Sequence, residues 1–249
     1  MKYFIISDIH GNLEALDAVL QEVGDETLLC LGDVIGYGPD SPACIRRIRE
    51  LKIPCLMGNH DKVQLDLGQL RYFNPLARLS AVLTSQDLSP ADLDWLTTLP
   101  EELILDDLYF THSSPYETSK FYYLRPGDTS SPYLILSFSK LAPLGITTAF
   151  VGHTHVPGIF TSTDKGRIHY QAMEPGNLYQ LQKNRQHIIN CPSVGQPRNR
   201  HPEAQFVVFD DSELSVELRS VPYDIPLTAQ KMRDAGIPEE LWKRLVEGI

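Results

Sequence analysis

The stretch Tyr3-Phe4-Ile5-Ile6-Ser7-Asp8-Ile9-His10-Gly11-Asn12 decides how this chain is read. Its first four residues, aromatic and β-branched, form an apolar run too short for a helix and suited to a strand buried on both faces. Ligand-type side chains and a glycine follow at once, so the strand ends in a crowded turn. Leu13, Leu16, Val19, Leu20 and Val23 then recur at helical spacing, with Gly24 placed to end the helix. A second strand is expected over residues 27–31. A second helix follows over 41–51, with Ile45 and Ile48 on its apolar face, and a third strand over 53–57. The order β-α-β-α-β needs crossover connections, which implies a parallel sheet covered by helices and places the chain in the α/β class.

Beyond this opening the pattern turns helical from 61 to 98. Asn74-Pro75 and Ser89-Pro90 each offer a capping residue followed by proline at the first helical position. Residues 102–105 and 108–111 read as a hairpin across Asp106-Asp107. Residues 113–131, rich in Ser, Pro, Thr and Tyr without periodicity, form the candidate lid. Strands are expected over 148–151, 158–162, 167–171, 187–190, 205–209 and 213–221. Turn signals stand at Asp164-Lys165-Gly166 and Asp210-Asp211-Ser212. Residues 225–249 hold a helical pair, 227–235 and 238–246, split by Gly236.

The 249 residues, 42% hydrophobic and 22% charged, are enough for one globular domain over 1–249 with a full core and exclude a disordered chain. Lys plus Arg number 22 against 32 Asp plus Glu, a net charge of −10 spread without blocks, which disfavours a protein that coats nucleic acid. An anionic substrate would then need a local reversal of the field, for which a bound metal is the strongest candidate. Cys30, Cys44, Cys55 and Cys191 form no Cys-x-x-Cys pair, and Cys30 and Cys55, inside apolar runs, read as buried small hydrophobes in a reducing compartment. No run approaches the roughly 18 apolar residues of a membrane span, and the first apolar run is too short for a signal peptide, so a cytoplasmic protein is expected.

Ligand-type residues gather at the C-terminal tips of the expected strands, where open α/β sheets place their sites. The tips read Asp8-Ile9-His10, Gly32-Asp33, Gly58-Asn59-His60-Asp61, His112 and Gly152-His153-Thr154-His155, and they hold five of the eight histidines. Any one of these histidines alone reads as a hydrogen-bonded residue at a strand end. Five together with Asp8, Asp33 and Asn59 do not. Carboxylate, amide and imidazole without thiolate suit manganese, iron, nickel or zinc. Alternation along an extended segment is expected to bring Asp8 to the side of His10, and His153 to the side of His155.

These five blocks, in this order, resemble the signature of the calcineurin-like metallophosphoesterases. The likeness extends to a bacterial and archaeal branch of small phosphodiesterase-like proteins, some labelled diadenosine tetraphosphatase-related or serine/threonine phosphatase-like. It runs through Gly32-Asp33-x-x-Gly36-Tyr37-Gly38-Pro39, Ser193 to Arg198, Val221-Pro222-Tyr223-Asp224 and the C-terminal helical pair. The resemblance implies an αββα sandwich, two mixed sheets face to face and flanked by helices. It implies two divalent metal ions, manganese first, with iron, nickel, zinc or cobalt as alternatives. Asp8, His10 and His155 would hold one ion, Asn59, His112 and His153 the other, and Asp33 would bridge them. A metal-bridging hydroxide would attack the phosphorus of a small phosphate ester or nucleotide, and His60 would protonate the leaving group, with Asp61 either orienting it or capping a helix. Two departures stand out. Cys191-Pro192 replaces the branch's Pro-Gly pair after Asn190, and Ser113 replaces the glycine that often follows His112.

Other candidates for substrate binding are Tyr37, which either stacks on a base or packs at a turn, Arg125 within the aromatic run Phe121-Tyr122-Tyr123, and Arg198 with Arg200 and His201. The simpler reading of the aromatic run is a patch under a long loop. His169 and His187 read as structural. A phosphoprotein phosphatase is the nearest rival, disfavoured because the chain lacks the length for a long docking groove. A non-catalytic scaffold of the same fold is the rival from another class, and the intact ligand set with His60 argues against it.

Overall fold

Alternation along the first strand explains the layering. In the computed structural model, which describes residues 1–24, 26–163 and 166–249, β1 (Lys2–Ile6) turns Tyr3 and Ile5 to one core and Phe4 and Ile6 to another. A strand that is apolar on both faces must be covered twice. The chain continues through α1 (Leu13–Glu22), β2 (Thr27–Cys30), α2 (Ser41–Glu50), α3 (Asn59–Val63), α4 (Pro75–Asp87) and α5 (Pro90–Leu96). A hairpin of β3 (Glu102–Leu105) and β4 (Leu108–Thr111) leads by a long loop to α6 (Pro132–Leu141) and β5 (Thr148–Val151). Then come β6 (Gly158–Ser162), β7 (Ile168–Ala172), β8 (Leu178–Gln180), β9 (His187–Asn190), β10 (Ala204–Asp210), β11 (Ser215–Val221), α7 (Ile225–Asp234) and α8 (Glu239–Glu247).

The strands form two mixed sheets, β2-β1-β10-β11-β8 and β3-β4-β5-β9-β6-β7. In the first, β1 runs parallel to β2 and antiparallel to β10, so the two ends of the chain share one sheet. In the second, β4, β5 and β9 are parallel. Tyr3, Ile5, Leu29, Val207 and Phe209 face Phe110, Phe150 and Ile189 of the other sheet, with the Phe150 and Phe209 rings 5.2 Å apart. On the far side of the first sheet, Phe4, Ile6 and Phe206 pack on Leu16 and Val19 of α1 and on Ile45 and Ile48 of α2. On the far side of the second, Tyr109, Val151 and Ile188 pack on Leu134, Phe138 and Leu141 of α6. This is an αββα sandwich. Each buried Leu, Ile or Phe stabilises it by roughly 1.5–3 kcal/mol, so the layer order is set by many such contacts and not by any single pair.

Several local expectations hold. Asn74 and Ser89 cap α4 and α5 with their side chains, accepting from Ala77 N and Asp92 N, and Gly236 separates the last two helices at φ +68°. Others are corrected. The expected strand over 53–57 is only a single parallel bridge between Cys30 and Cys55. Pro54 lends its carbonyl to Cys30 N–H at 2.9 Å but has no N–H to extend the ladder, and Met57 N–H turns away to Pro100 O at 2.8 Å. Helix α1 ends at Glu22 with Val23 extended, so Gly24 is not its left-handed cap. Helix α6, with Pro132 in its first turn, and the short strand β8 arise from segments that gave no clear period. Of the turn expected at Asp164-Lys165-Gly166, the first two residues lie outside the described residues.

The sandwich brings the parallel strand tips to one edge. Asp8 N–H donates to Gly32 O at 3.0 Å, Gly152 N–H to His112 O at 2.8 Å, and Val194 N–H to Ser7 O at 2.9 Å, so the loops of both sheets are laced together.

Candidate metal centre

The side chains at this edge converge through left-handed backbone, not through strand alternation. Asp8, His10, Asp33, His153 and His155 have φ of +55°, +51°, +53°, +67° and +61°. Such conformations cost of order 1–3 kcal/mol for residues other than glycine, and five at one site mark a constrained, functional arrangement. Extended pairing of Asp8 with His10 and of His153 with His155 is therefore corrected: each turn curls its side chains inward. The packing leaves no slack. A Cβ on Gly152 would stand 2.0 Å from Ser7 Oγ, and one on Gly58 2.1 Å from Asp33 Oδ1.

Each buried carboxylate spends one oxygen on backbone and aims the other into the cluster. Asp8 Oδ2 accepts from His153 N–H at 3.0 Å, while Oδ1 has no hydrogen-bond partner and lies 3.2 Å from His155 Nε2 and 3.7 Å from His10 Nε2. Asp33 Oδ1 accepts from His60 N–H at 2.8 Å, while Oδ2 lies 3.3 Å from His112 Nε2 and 3.7 Å from His10 Nε2. Imidazoles are oriented in the same way. Nδ1–H of His10, His112 and His155 points at the carbonyls of Ile35, Leu31 and Gln196, at 3.1, 3.1 and 2.6 Å, which leaves each Nε2 facing the cluster. His10 Nε2 and His155 Nε2 then meet at 3.1 Å with no proton between them, and His153 Nε2 is buried without a partner. Lone pairs directed at one another in a buried site call for a cation.

Two groups of donors result, Asp8 with His10 and His155, and Asp33 with His112 and His153, and Asn59 Oδ1 lies 3.3 Å from His112 Nε2 beside the second. His60 also lies with His10 and Asp33. The electrostatics fit ion binding. Burial lowers His153 to about 3 and His60 to about 4 and also lowers His10 and His155, so these rings stay neutral, as ligands must. Burial opposes charge on His112, yet Asp33 and Asp8 raise it to about 9, so a proton there takes the place of a metal cation. Burial also opposes ionisation of Asp8 and Asp33, but the facing histidines hold both carboxyls below the usual range. Asp61 makes a different contribution. Its carboxylate accepts from Gly58, Asp33 and Val34 N–H at 3.0, 2.7 and 3.1 Å, so it caps α3 and fixes the loop that carries Asp33.

Tyr37 is 6% exposed, its ring hemmed by His10, His60 and Arg198, with no open face on which a base could stack. Arg198 lies close enough to His155 and His60 for its charge to lower both, and its Nε is buried without a partner. Arg125 is exposed at 5.7 Å from the ring of Tyr123, and Tyr123 stacks on His153 at 3.9 Å. Phe73, in contact with the His60 ring at 5.1 Å, was not singled out by sequence; its place after a 3₁₀ turn carries no motif. Ser113 is buried with an unpartnered Oγ, and Ser193 Oγ ties the Cys191-Pro192 loop to Asp8 O at 2.7 Å. Arg200 and His169 are exposed, His201 pairs with Glu174 at 3.2 Å, and His187 bonds Thr161 and Gln182 away from the centre.

A family model described as calcineurin-like phosphoesterase matches residues 1–157. An uncharacterized protein of Methanocaldococcus jannaschii is 32% identical over 253 residues, covering 98% of this chain and 97% of that protein. The solved structure of a metallophosphoesterase from Sphaerobacter thermophilus superposes with a TM-score of 0.84 at 32% identity, over the full length of both chains. A symmetrical bis(5'-nucleosyl)-tetraphosphatase of Hamiltonella defensa is 34% identical over 125 residues, 47% of this chain and 45% of that enzyme. The likeness to tetraphosphatases thus spans less than half of their length.

Proposed function

The chain belongs to the calcineurin-like phosphoesterase family, metal-dependent hydrolases of phosphoric esters, and on that premise we propose that it is a two-metal phosphodiesterase acting on small diesters or nucleotides. The observation that carries this reading is Asp33 Oδ2, which lies within 3.7 Å of His10 Nε2 on one side and 3.3 Å of His112 Nε2 on the other, one oxygen shared by two donor groups. Asp8, His10 and His155 would hold one ion, and Asn59, His112 and His153 the second, with Asp33 between them. When bound, two such ions supply Lewis acidity and an activated water for in-line attack at phosphorus. The chain's own residues do the rest. His60, beside the centre on α3, is neutral in the free fold; the negative charge of a bound phosphate ester would raise its affinity for a proton, which it would then give to the departing oxygen. Arg198, a guanidinium with an unsatisfied Nε–H at the rim, would grip a non-bridging phosphate oxygen. The overall charge of −10 makes such local positive groups necessary.

The test pairs elemental analysis with a hydrolysis panel run with Mn²⁺, Fe²⁺, Ni²⁺, Zn²⁺ and Co²⁺ in turn. Two ions per chain are expected, with diesters or nucleotides turned over faster than monoesters. One ion at full occupancy under excess metal would sink the two-metal assignment. Phosphopeptides as the best substrates would favour a protein phosphatase, and two bound ions without turnover of any ester would favour a scaffold.

A further inference from the structure

His60 is held differently from three of the histidines of the centre. His10, His112 and His155 each give Nδ1–H to a backbone carbonyl. His60 Nδ1 is buried and has no hydrogen-bond partner, so no polar group fixes that side of its ring. Rings hold it instead, with centroids of Tyr37 at 4.6 Å, His10 at 4.9 Å and Phe73 at 5.1 Å. The backbone at Gly36 closes the gap, since a Cβ there would stand 2.5 Å from His60 Nδ1. Tyr37 in turn is fixed at unusual backbone, φ +56°, with its N–H donated to Ser80 Oγ of α4 at 2.5 Å. A bulky non-glycine residue in that conformation is kept there by its surroundings.

The same tyrosine touches an arginine at the half-buried rim of the centre. The guanidinium carbon of Arg198 lies 5.9 Å from the Tyr37 ring centroid, near enough that its charge offsets part of the rise that burial imposes on the tyrosine hydroxyl. Arg198 Nη2 donates to Gln196 Oε1 at 2.8 Å, which anchors its other edge. One residue therefore touches both groups that the phosphoesterase reading places around the substrate.

We infer that Tyr37 is a positioning residue that couples the proton donor to the phosphate grip, its ring setting the angle of the His60 imidazole and its hydroxyl setting the reach of Arg198. The inference rests on the roles proposed above for His60 and Arg198. A donor without a hydrogen-bonded orienter depends on packing for its alignment, and misplacement by about 1 Å costs a catalytic group about 100-fold. The two halves of Tyr37 separate by mutation. Tyr37→Phe keeps the ring and removes the hydroxyl. Tyr37→Leu removes both.

The experiment measures kcat and KM of Mn²⁺-loaded full-length protein on two diesters that differ only in leaving group, one p-nitrophenolate and one alkoxide, with metal content measured on the same samples. For Tyr37→Phe a rise in KM of about tenfold on both esters is expected, with kcat within about twofold, because the polar group beside the guanidinium is lost. For Tyr37→Leu the same KM rise is expected, together with a kcat loss at least about tenfold larger on the alkyl ester, since only that leaving group needs the proton. Unchanged KM in Tyr37→Phe overturns the Arg198 half, and equal kcat losses on both esters in Tyr37→Leu overturn the His60 half. His60→Gln is run beside them. If it shows no leaving-group dependence, the acid role itself fails and takes the ring half with it, while KM of Tyr37→Phe still decides the hydroxyl half.

Discussion

Asp33 is the residue on which the two donor groups depend. Its Oδ1 is fixed by His60 N–H at 2.8 Å, its backbone N–H by Asp61 at 2.7 Å, and its φ of +53° directs Oδ2 between His10 and His112. An oxygen shared in this way predicts a shared failure. Asp33→Asn keeps the size and the contact to His60 N–H, but loses the charge that would stand between the two proposed cations. Metal affinity should fall at both positions together by at least about 10 to 100-fold, since even groups one step removed from a metal have effects of that size. Titration followed by elemental analysis checks this, and loss confined to one position would make Asp33 a terminal ligand. Residue identities here were legible because aspartate and histidine recur at strand tips. Their geometry was not, because no feature of Asp8, His10, His153 or His155 in a one-dimensional pattern reveals a left-handed φ; only the neighbouring Gly11, Gly32 and Gly152 hint that the backbone turns sharply there.

Among the elements, the loop between β4 and α6 matters most for access to the centre. It is tied near its start, by Ser114 Oγ to Ser137 Oγ of α6 at 2.8 Å, and near its middle, by Leu124 O to Asn190 Nδ2 at 2.8 Å, while Tyr123 lies on His153 and Phe121 lies 5.9 Å from His112. Residues 125–129 between these ties and α6 are largely exposed. A segment with few buried apolar contacts, next to residues that cover His112 and His153, belongs to the low-stability end of a structure. Amide exchange over the candidate lid, 113–131, is expected to be fast in the metal-loaded protein and to slow when inorganic phosphate or vanadate is added. Exchange already slow without the anion would make the loop ordinary packing. The strong periodic elements, β1, α1, β2, α2 and the hairpin, were legible because both faces of each strand and one face of each helix are apolar. The strand over 53–57 misled because an apolar run satisfies the pattern while Pro54 forbids the ladder. Helix α6 escaped because Leu134, Ile135 and Leu136 in succession blur its period, Leu134 being buried and the next two exposed. Face-to-face packing of the sheets came from family resemblance, since alternation within one strand does not say what covers it.

At the scale of the whole molecule, the buried cluster ties stability to metal and to pH. In the metal-free fold, burial keeps His60 neutral down to about 4 and His153 to about 3, and lowers His10 and His155 as well, whereas an unfolded histidine titrates near about 6.5. Below that value the unfolded chain takes up protons that the folded chain refuses, so stability falls as pH drops from about 6.5 towards 4. Asp8 and Asp33, both lowered, add to the fall at still lower pH. Two groups act in the opposite sense. His112, raised to about 9 against the effect of burial by Asp33 and Asp8, contributes stability that is full below about 6.5 and lost as pH rises towards 9. Asp61, raised to about 7 by burial and then by Asp33, loses its contribution as pH rises from about 4 to 7. Four rings outweigh one carboxyl between 4 and 6.5, so the net slope there is positive. Bound ions require the folded arrangement of deprotonated nitrogens, and between pH 7.5 and 5 the proton that competes with them is the one held by His112. Each ion at 100 times its dissociation constant stabilises the fold by about 2.7 kcal/mol, so two stabilise it by about 5.4 kcal/mol, or roughly 10–20 °C for a chain of this size. Thermal unfolding of chelator-treated protein should therefore show a midpoint that falls from pH 7 to pH 5. Added Mn²⁺ should raise the midpoint by that amount at pH 7.5, with the gain shrinking towards zero by pH 5. A metal-induced shift of the same size at both pH values would place the ions away from the buried histidines and undo the centre proposed here.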